Sequence, residues 1–214
     1  HLLERSIQFG LMGTPMPRPC TQIDAVHDIA SGKISPDAVR IDHRGFLTPG
    51  YVSVLAAFCH ANGVTSENCD FAESVAPYLR AMGFDREIFE HDTFEYRRSR
   101  EGRNYSSLCH LSAPSQVDQA SETINACIRS LAAESDGRSR LQDVVGELHD
   151  NVWSHGENSG FSIAQVTKVP NECDQFIEFG LADSGKGFLA ELTRYGVPVD
   201  SNRDAIEWAI QEGN

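Results

Sequence analysis

Leu141-Gln-Asp-Val-Val-Gly-Glu-Leu-His-Asp-Asn-Val-Trp-Ser-His155 is the stretch on which the reading of this chain turns. Its spacing predicts a helix from about Ser139 to His155, closed by Gly156. Leu141, Val144, Val145, Leu148 and Val152 fall on one apolar stripe when each residue is turned by about 100°. That stripe should face a sheet. Along its border Glu147, Asn151 and His155 follow one another at helical-turn spacing, so three polar side chains should point into whatever cleft adjoins the core. An amide oxygen is a hard ligand suited to Mg²⁺, and a carboxylate one turn away can orient and deprotonate a water. Taken alone, E-x-x-x-N also describes any helix edge facing solvent.

Two segments rich in β-formers follow, Phe161 to Val169 and Gln175 to Leu181. The second runs directly into Ala182-Asp183-Ser184-Gly185-Lys186-Gly187-Phe188. An ionised aspartate at a strand end offers only acceptors, which suits the exocyclic amine of adenine; guanine would present a carbonyl there and be rejected. Gly185 and Gly187 let the backbone approach a flat base with no β-carbon in the way. By itself D-x-G-x-G is also a common turn. Upstream, Ser115-Gln-Val-Asp118 has the form of a capping box and opens a helix carrying Val117, Ala120, Ile124, Cys127, Ile128 and Leu131. Asp204 to Gln211 returns to helical spacing. The order helix, helix, strand, strand, loop, helix predicts an antiparallel sheet layered with helices rather than a doubly wound parallel one.

Glu95 to Ser107 is polar throughout and bears Arg97, Arg98, Arg100 and Arg103, which read as a solvated linker or as a phosphate or partner contact. It marks a domain boundary. Before it, Ala38 to Asp42 suits a short strand, Pro49 to Ala61 a helix begun by proline, and about Phe71 to Met82 a second helix ending at Gly83. The fold class is therefore α/β, with a smaller domain over residues 1–100 and a second over residues 108–214.

With 214 residues, 40% of them hydrophobic, the chain can build a sizeable core. A formal net charge of -13 works against nucleic acid and anionic membranes, both of which reward clustered positive charge. Cys20, Cys59, Cys69, Cys109, Cys127 and Cys173 form no CxxC pair and read as core thiols of a reduced compartment. No stretch approaches the roughly 20 apolar residues of a membrane span, and no signal peptide is evident, so a cytoplasmic location is expected.

Glu147-Leu-His-Asp-Asn151 on a helix, two strands, then Asp183-Ser-Gly-Lys-Gly187 resembles the N-box and first glycine box of the GHKL (Bergerat-fold) ATPases and kinases in content and order. The resemblance covers about residues 115 to 214 and implies an α/β sandwich that binds ATP or ADP with Mg²⁺. In it Glu147 is the water-activating base, Asn151 the metal ligand, and Asp183, Gly185 and Gly187 meet the adenine. His155 has the place of a histidine or lysine often found one turn beyond that asparagine, touching phosphate or capping its helix. Asp150 reaches a metal-bound water or is merely solvated, and Lys186 stands where the family varies. Among family members the anti-sigma-factor serine kinases are closest, since their helix also reads E-x-x-x-N-x-x-x-H. Sensor histidine kinases differ in their phosphoacceptor pattern, for His27-Asp28 lacks its proline, and gyrase and mismatch-repair relatives carry a transducer domain that this length does not accommodate. The family's second glycine-rich box, which follows the ATP lid, has no counterpart before Asn214.

Further upstream, RIDHRGFLTPGYVSVLAAF (40–58) followed by ESVAPYLRAMGF (73–84) resembles the STAS fold of anti-sigma-factor antagonists, with Thr48 near the place of their phosphorylated serine. Together the resemblances imply a Mg²⁺-dependent ATP-binding protein that hydrolyses ATP or phosphorylates a partner in bacterial-type regulation. The alternative is an ATP-gated interaction module with little turnover. A non-nucleotide interaction protein with a decayed site is disfavoured, because both motifs keep every chemical residue. The expected partners are an adenine nucleotide and a protein, with neither nucleic acid nor membrane; a homodimer stays open.

Overall fold

A computed structural model describes residues 18–43, 45–90, 100–131, 135–155, 160–168 and 175–211. Helix α1 (Gln22–Ala30) starts at Thr21, where Asp24 accepts from the Thr21 N–H at 2.8 Å and from its hydroxyl at 2.9 Å. A hairpin of β1 (Ile34–Ser35) and β2 (Ala38–Ile41) leads to α2 (Pro49–Ala61). Proline occupies the first turn of α2, where no N–H partner is needed, and the Thr48 hydroxyl accepts from Tyr51 N–H at 3.4 Å. The same buried hydroxyl donates to the Cys20 carbonyl at 3.0 Å, so Thr48 is committed to holding the helix start.

After a 3₁₀ turn (Ser66–Asn68), β3 (Cys69–Phe71) pairs parallel with β2. Phe71 thus ends a strand and does not begin a helix, and the helix expected from it, α3, covers only Ala76–Ala81. Pro77 is the physical reason: it fits the first turn of α3 but would break the middle of a helix begun at Phe71. Gly83, with φ at +82°, turns the chain straight into α4 (Phe84–Phe89).

The remainder contains β4 (Tyr105–Leu111), α5 (Pro114–Arg129), α6 (Ser135–His155), β5 (Gly160–Lys168), β6 (Gln175–Asp183), α7 (Gly187–Arg194) and α8 (Asn202–Ala209). Strands β4, β5 and β6 form an antiparallel sheet in that order, with α5 and α6 packed on one face. The molecule is mixed α/β. Helix α5 begins at Pro114 with Ala113 before it, so the capping box read at Ser115 is not used; proline's fixed φ starts the helix one residue earlier. Val117, Ala120, Ile124, Cys127, Ile128 and Leu131 are buried as their spacing requires. Helix α7 occupies what reads in sequence as a loop.

Of the expected boundary at 95–107, residues 91–99 lie outside the described residues and Tyr105–Ser107 belong to β4. The sheets divide there, but the core does not. Tyr51, Val52 and Leu55 of α2 are buried in one cluster with Ile34, Val39 and Ile41 and also with Leu108, Phe161 and Ile163. Helix α2 is apolar nearly all round and so needs cover on more than one side. It takes that cover from α1 and from β5 and β6. At Gly180 the approach is backbone to backbone: a β-carbon there would run into the Pro49 carbonyl and lie 2.7 Å from Gly50 N. The β4–β5–β6 sheet is therefore faced on one side by α5 and α6 and on the other by α2.

Candidate functional site

Register decides which way the end of β6 points. Along β5 and β6 the pairs are Ser162 with Leu181, Phe161 with Ala182, and Gly160 with Asp183. Phe161, Ile163 and Ala182 pack in the cluster of α2, whereas Ala164, Phe179 and Leu181 pack in the clusters of α5 and α6. Side chains alternate along a strand, so Asp183 follows Leu181 onto the face covered by α6. Gly160 places α6 at the same end of the sheet, since a β-carbon at 160 would run into Val152 Cγ1. Val152, the residue after Asn151, is thereby brought to the end of the sheet at which Asp183 lies, while Glu147 and Asn151 themselves lie on the exposed side of α6 and do not point into a cleft beside the core as expected.

On α6 the buried positions are Val145, His149 and Val152. This corrects the stripe read from sequence, because Val144 and Leu148, expected to face the sheet, are 51% and 39% exposed. Glu147 and Asn151 are exposed on the same side as Val144 and Leu148, giving a strip with a carboxylate, an amide and apolar surface between them. Asp150 is also exposed. His155 closes α6, and its side chain lies outside the described residues.

Asp183 is exposed at the strand end, and its Oδ1 accepts from Gly185 N–H at 2.9 Å, which turns the chain out of the sheet. Gly187 opens α7 with φ at +72°, a conformation that favours glycine; a β-carbon there would meet nothing within 4 Å. Glycine at 187 thus answers a backbone need and leaves open space in front of it. Lys186 is the exposed residue before α7. On the other side, Asp183 and Ser184 border a cavity of about 470 Å³ walled by Val26 of α1, Val54 and Phe58 of α2, and Leu181. Asp183 therefore borders this groove at the end of β6.

No protein-family model, curated protein or solved structure matches this chain.

Among the described residues, no group of three or more His, Cys, Asp or Glu side chains could hold a metal ion. A cation beside Asn151 would need further ligands from phosphate and water, which is the ordinary habit of Mg²⁺. Cys20, Cys59 and Cys127 are buried and Cys69 and Cys109 half-buried, all as free thiols; Cys173 lies outside the described residues. Among the described residues no helix is long and apolar enough to cross a membrane.

The residue that sequence reasoning passed over is His149. It is fully buried, with Nδ1 2.7 Å from Ser121 Oγ on α5 and Nε2 2.7 Å from Ser162 Oγ on β5. Burial pulls its pKa down from 6.5 to about 4, with Asp150 opposing. The ring is therefore neutral near pH 7, with one N–H and one acceptor nitrogen, so one serine accepts from it and the other donates to it. A signal was present in the sequence: on the helical wheel His149 falls within about 60° of both Val145 and Val152, at the edge of the arc that core side chains fill.

Proposed function

We propose that this protein binds an adenine nucleotide with Mg²⁺ at the end of the β4–β5–β6 sheet, held by Asp183 at the strand end and by Glu147 and Asn151 on the outer side of α6. The observation that carries the reading is the Gly160 junction: Val152 of α6 stands over the residue that pairs with Asp183. Asp183 offers acceptor oxygens to the adenine amine, with Gly185 next to it presenting no side chain and Gly187 leaving open space beside the turn. Asn151 would hold Mg²⁺, whose role when bound is to neutralise phosphate charge. Glu147, one turn before it and equally exposed, orients a water and takes its proton. Val144 and Leu148 give the nucleotide an apolar wall.

This arrangement supports a GHKL-type ATPase or protein kinase fused to a STAS-like N-terminal part, with His155 at the phosphate or capping α6. The parallel pairing of β2 and β3 across α2 is compatible with that N-terminal assignment. A formal charge of -13 disfavours nucleic acid as the partner and leaves a protein.

A second reading, an ATP-gated interaction module with little turnover, has its own supporting observation. Gly180, three residues before Asp183, touches the backbone of α2 directly, and the groove between α1 and α2 ends on Asp183 itself. A nucleotide that moved the end of β6 would be felt in that groove. Calorimetry with ATP, ADP and GTP, with and without Mg²⁺, tests the binding; phosphate release and transfer to a co-purified partner then separate the two readings. Equal affinity for ATP and GTP would overturn the adenine assignment.

A further inference from the structure

We infer that His149, clamped between Ser121 and Ser162, is the positioning residue that sets the rotation of α6 about its own axis and so aims Glu147 and Asn151. The inference rests on the nucleotide reading above for its functional consequence, but the clamp itself stands on geometry. Hydrogen bonds at this ring tie α6 to two other elements, to α5 through Ser121 Oγ and to β5 through Ser162 Oγ, both at 2.7 Å, and the ring also meets Phe179 of β6. Ser162 lies on the central strand, paired with Cys109 of β4 and Leu181 of β6, so its hydroxyl is a fixed point.

Apolar packing alone would not hold this rotation. The hydrophobic effect is non-directional, and the stripe Leu141, Val144, Val145, Leu148 and Val152 offers a competing arrangement with Val144 and Leu148 turned to the sheet. In the structure those two side chains are exposed instead, and His149 is buried. Two directional hydrogen bonds from one planar ring select that outcome, because turning the helix breaks both and leaves buried polar groups unsatisfied.

The lever is short. Glu147 and Asn151 lie two residues before and after His149, and thus on the side of the helix away from the sheet. A turn of about 20° moves a group about 6 Å from the helix axis by ~2 Å, more than the ~1 Å misplacement that can cost about 10²-fold in rate. A leucine at 149 can occupy the slot but makes neither hydrogen bond, which leaves the rotation to non-directional apolar packing.

The decisive variant is Ser121→Ala/His149→Leu/Ser162→Ala, which removes all three polar groups together and so leaves none unsatisfied; such replacements can be nearly neutral for stability. Residual dipolar couplings of the α6 amides report the helix rotation without any nucleotide. We expect α6 to turn in the triple variant while its melting temperature stays near the parent's, and MgATP turnover to fall by about 10²-fold with nucleotide affinity reduced far less. Ser121→Thr in the parent, which keeps the hydroxyl, should retain parental couplings and turnover. If the triple variant does not fold, Ser121→Ala alone removes one of the two bonds and should give a smaller turn and a smaller loss. Unchanged couplings and unchanged turnover in a folded variant would overturn the inference. A parent protein that binds no ATP would sink the proposed function instead, and the couplings would still decide the clamp.

Discussion

Val152 stands over Gly160, closely enough that a β-carbon at 160 would run into its Cγ1, and Gly160 is the register partner of Asp183. This contact joins the helix that carries Glu147 and Asn151 to the strand end that carries the aspartate. Gly160→Ala should therefore push α6 off the sheet and lower stability by about 1–3 kcal/mol, the usual result of overpacking. Pairing it with Val152→Ala makes room for the added methyl. Denaturant titration of the two single variants and the double should show the double less destabilised than the sum of the singles; strict additivity would mean that the two residues do not touch.

A pH dependence follows from His149. Its pKa is about 4 in the folded protein against 6.5 ordinarily, so between these values the unfolded chain holds a proton that the folded one does not. Stability consequently falls as the pH drops from about 6.5 to about 4 and is independent of this group above that window. At ~1.4 kcal/mol per pH unit, the loss is on the order of 3 kcal/mol. Urea titrations across that range should show the slope in the parent and a shallower one in Ser121→Ala/His149→Leu/Ser162→Ala. Equal slopes would show that other groups carry the dependence.

Adenine selection tests the strand end. Asp183→Asn exchanges an acceptor for a donor facing the base amine and should weaken ATP and ADP by roughly 1.5–3 kcal/mol, the range for a hydrogen bond to a charged group. Calorimetry at constant Mg²⁺ gives the number. Parental affinity in the variant would remove Asp183 from the site.

On α6 the two polar residues should separate by function. Glu147→Ala is expected to keep nucleotide binding and lose about 10² to 10⁴ in turnover, because a positioned base contributes about that much. Asn151→Ala should weaken binding in Mg²⁺ and hardly alter it in EDTA. Phosphate release for the first and paired calorimetry for the second are the measurements. A Glu147→Ala variant that turns over at the parental rate would remove the base from this position.

Much of the fold was legible because its signals are local. Helix α2 spans Pro49 to Ala61 as its spacing and leading proline require, and β5 and β6 differ from expectation only at their ends. The residues of E-x-x-x-N could be picked out because helix periodicity makes them neighbours on one element, and those of D-x-G-x-G because they follow directly on a strand. Where local signals competed, the reading failed: Phe71 had helical spacing after it but pairs with Ile41, and Ser115 had a capping-box pattern but yields to Pro114.

By itself, then, the sequence determined the α/β class and the antiparallel order of the second half, and it singled out the residues on which the proposed site is built. Tertiary structure alone decided that one core joins the two halves, through Tyr51, Leu55, Phe161 and Ile163, because periodicity marks a side chain as buried without naming what it meets. It also decided which arc of α6 faces the sheet. A helical wheel ranks positions by hydrophobicity, and on that scale His149 loses to Val144 and Leu148. Ser121 and Ser162, lying 28 and 13 residues away, satisfy its two ring nitrogens and so make burying it favourable, and no pattern within the helix encodes partners that distant.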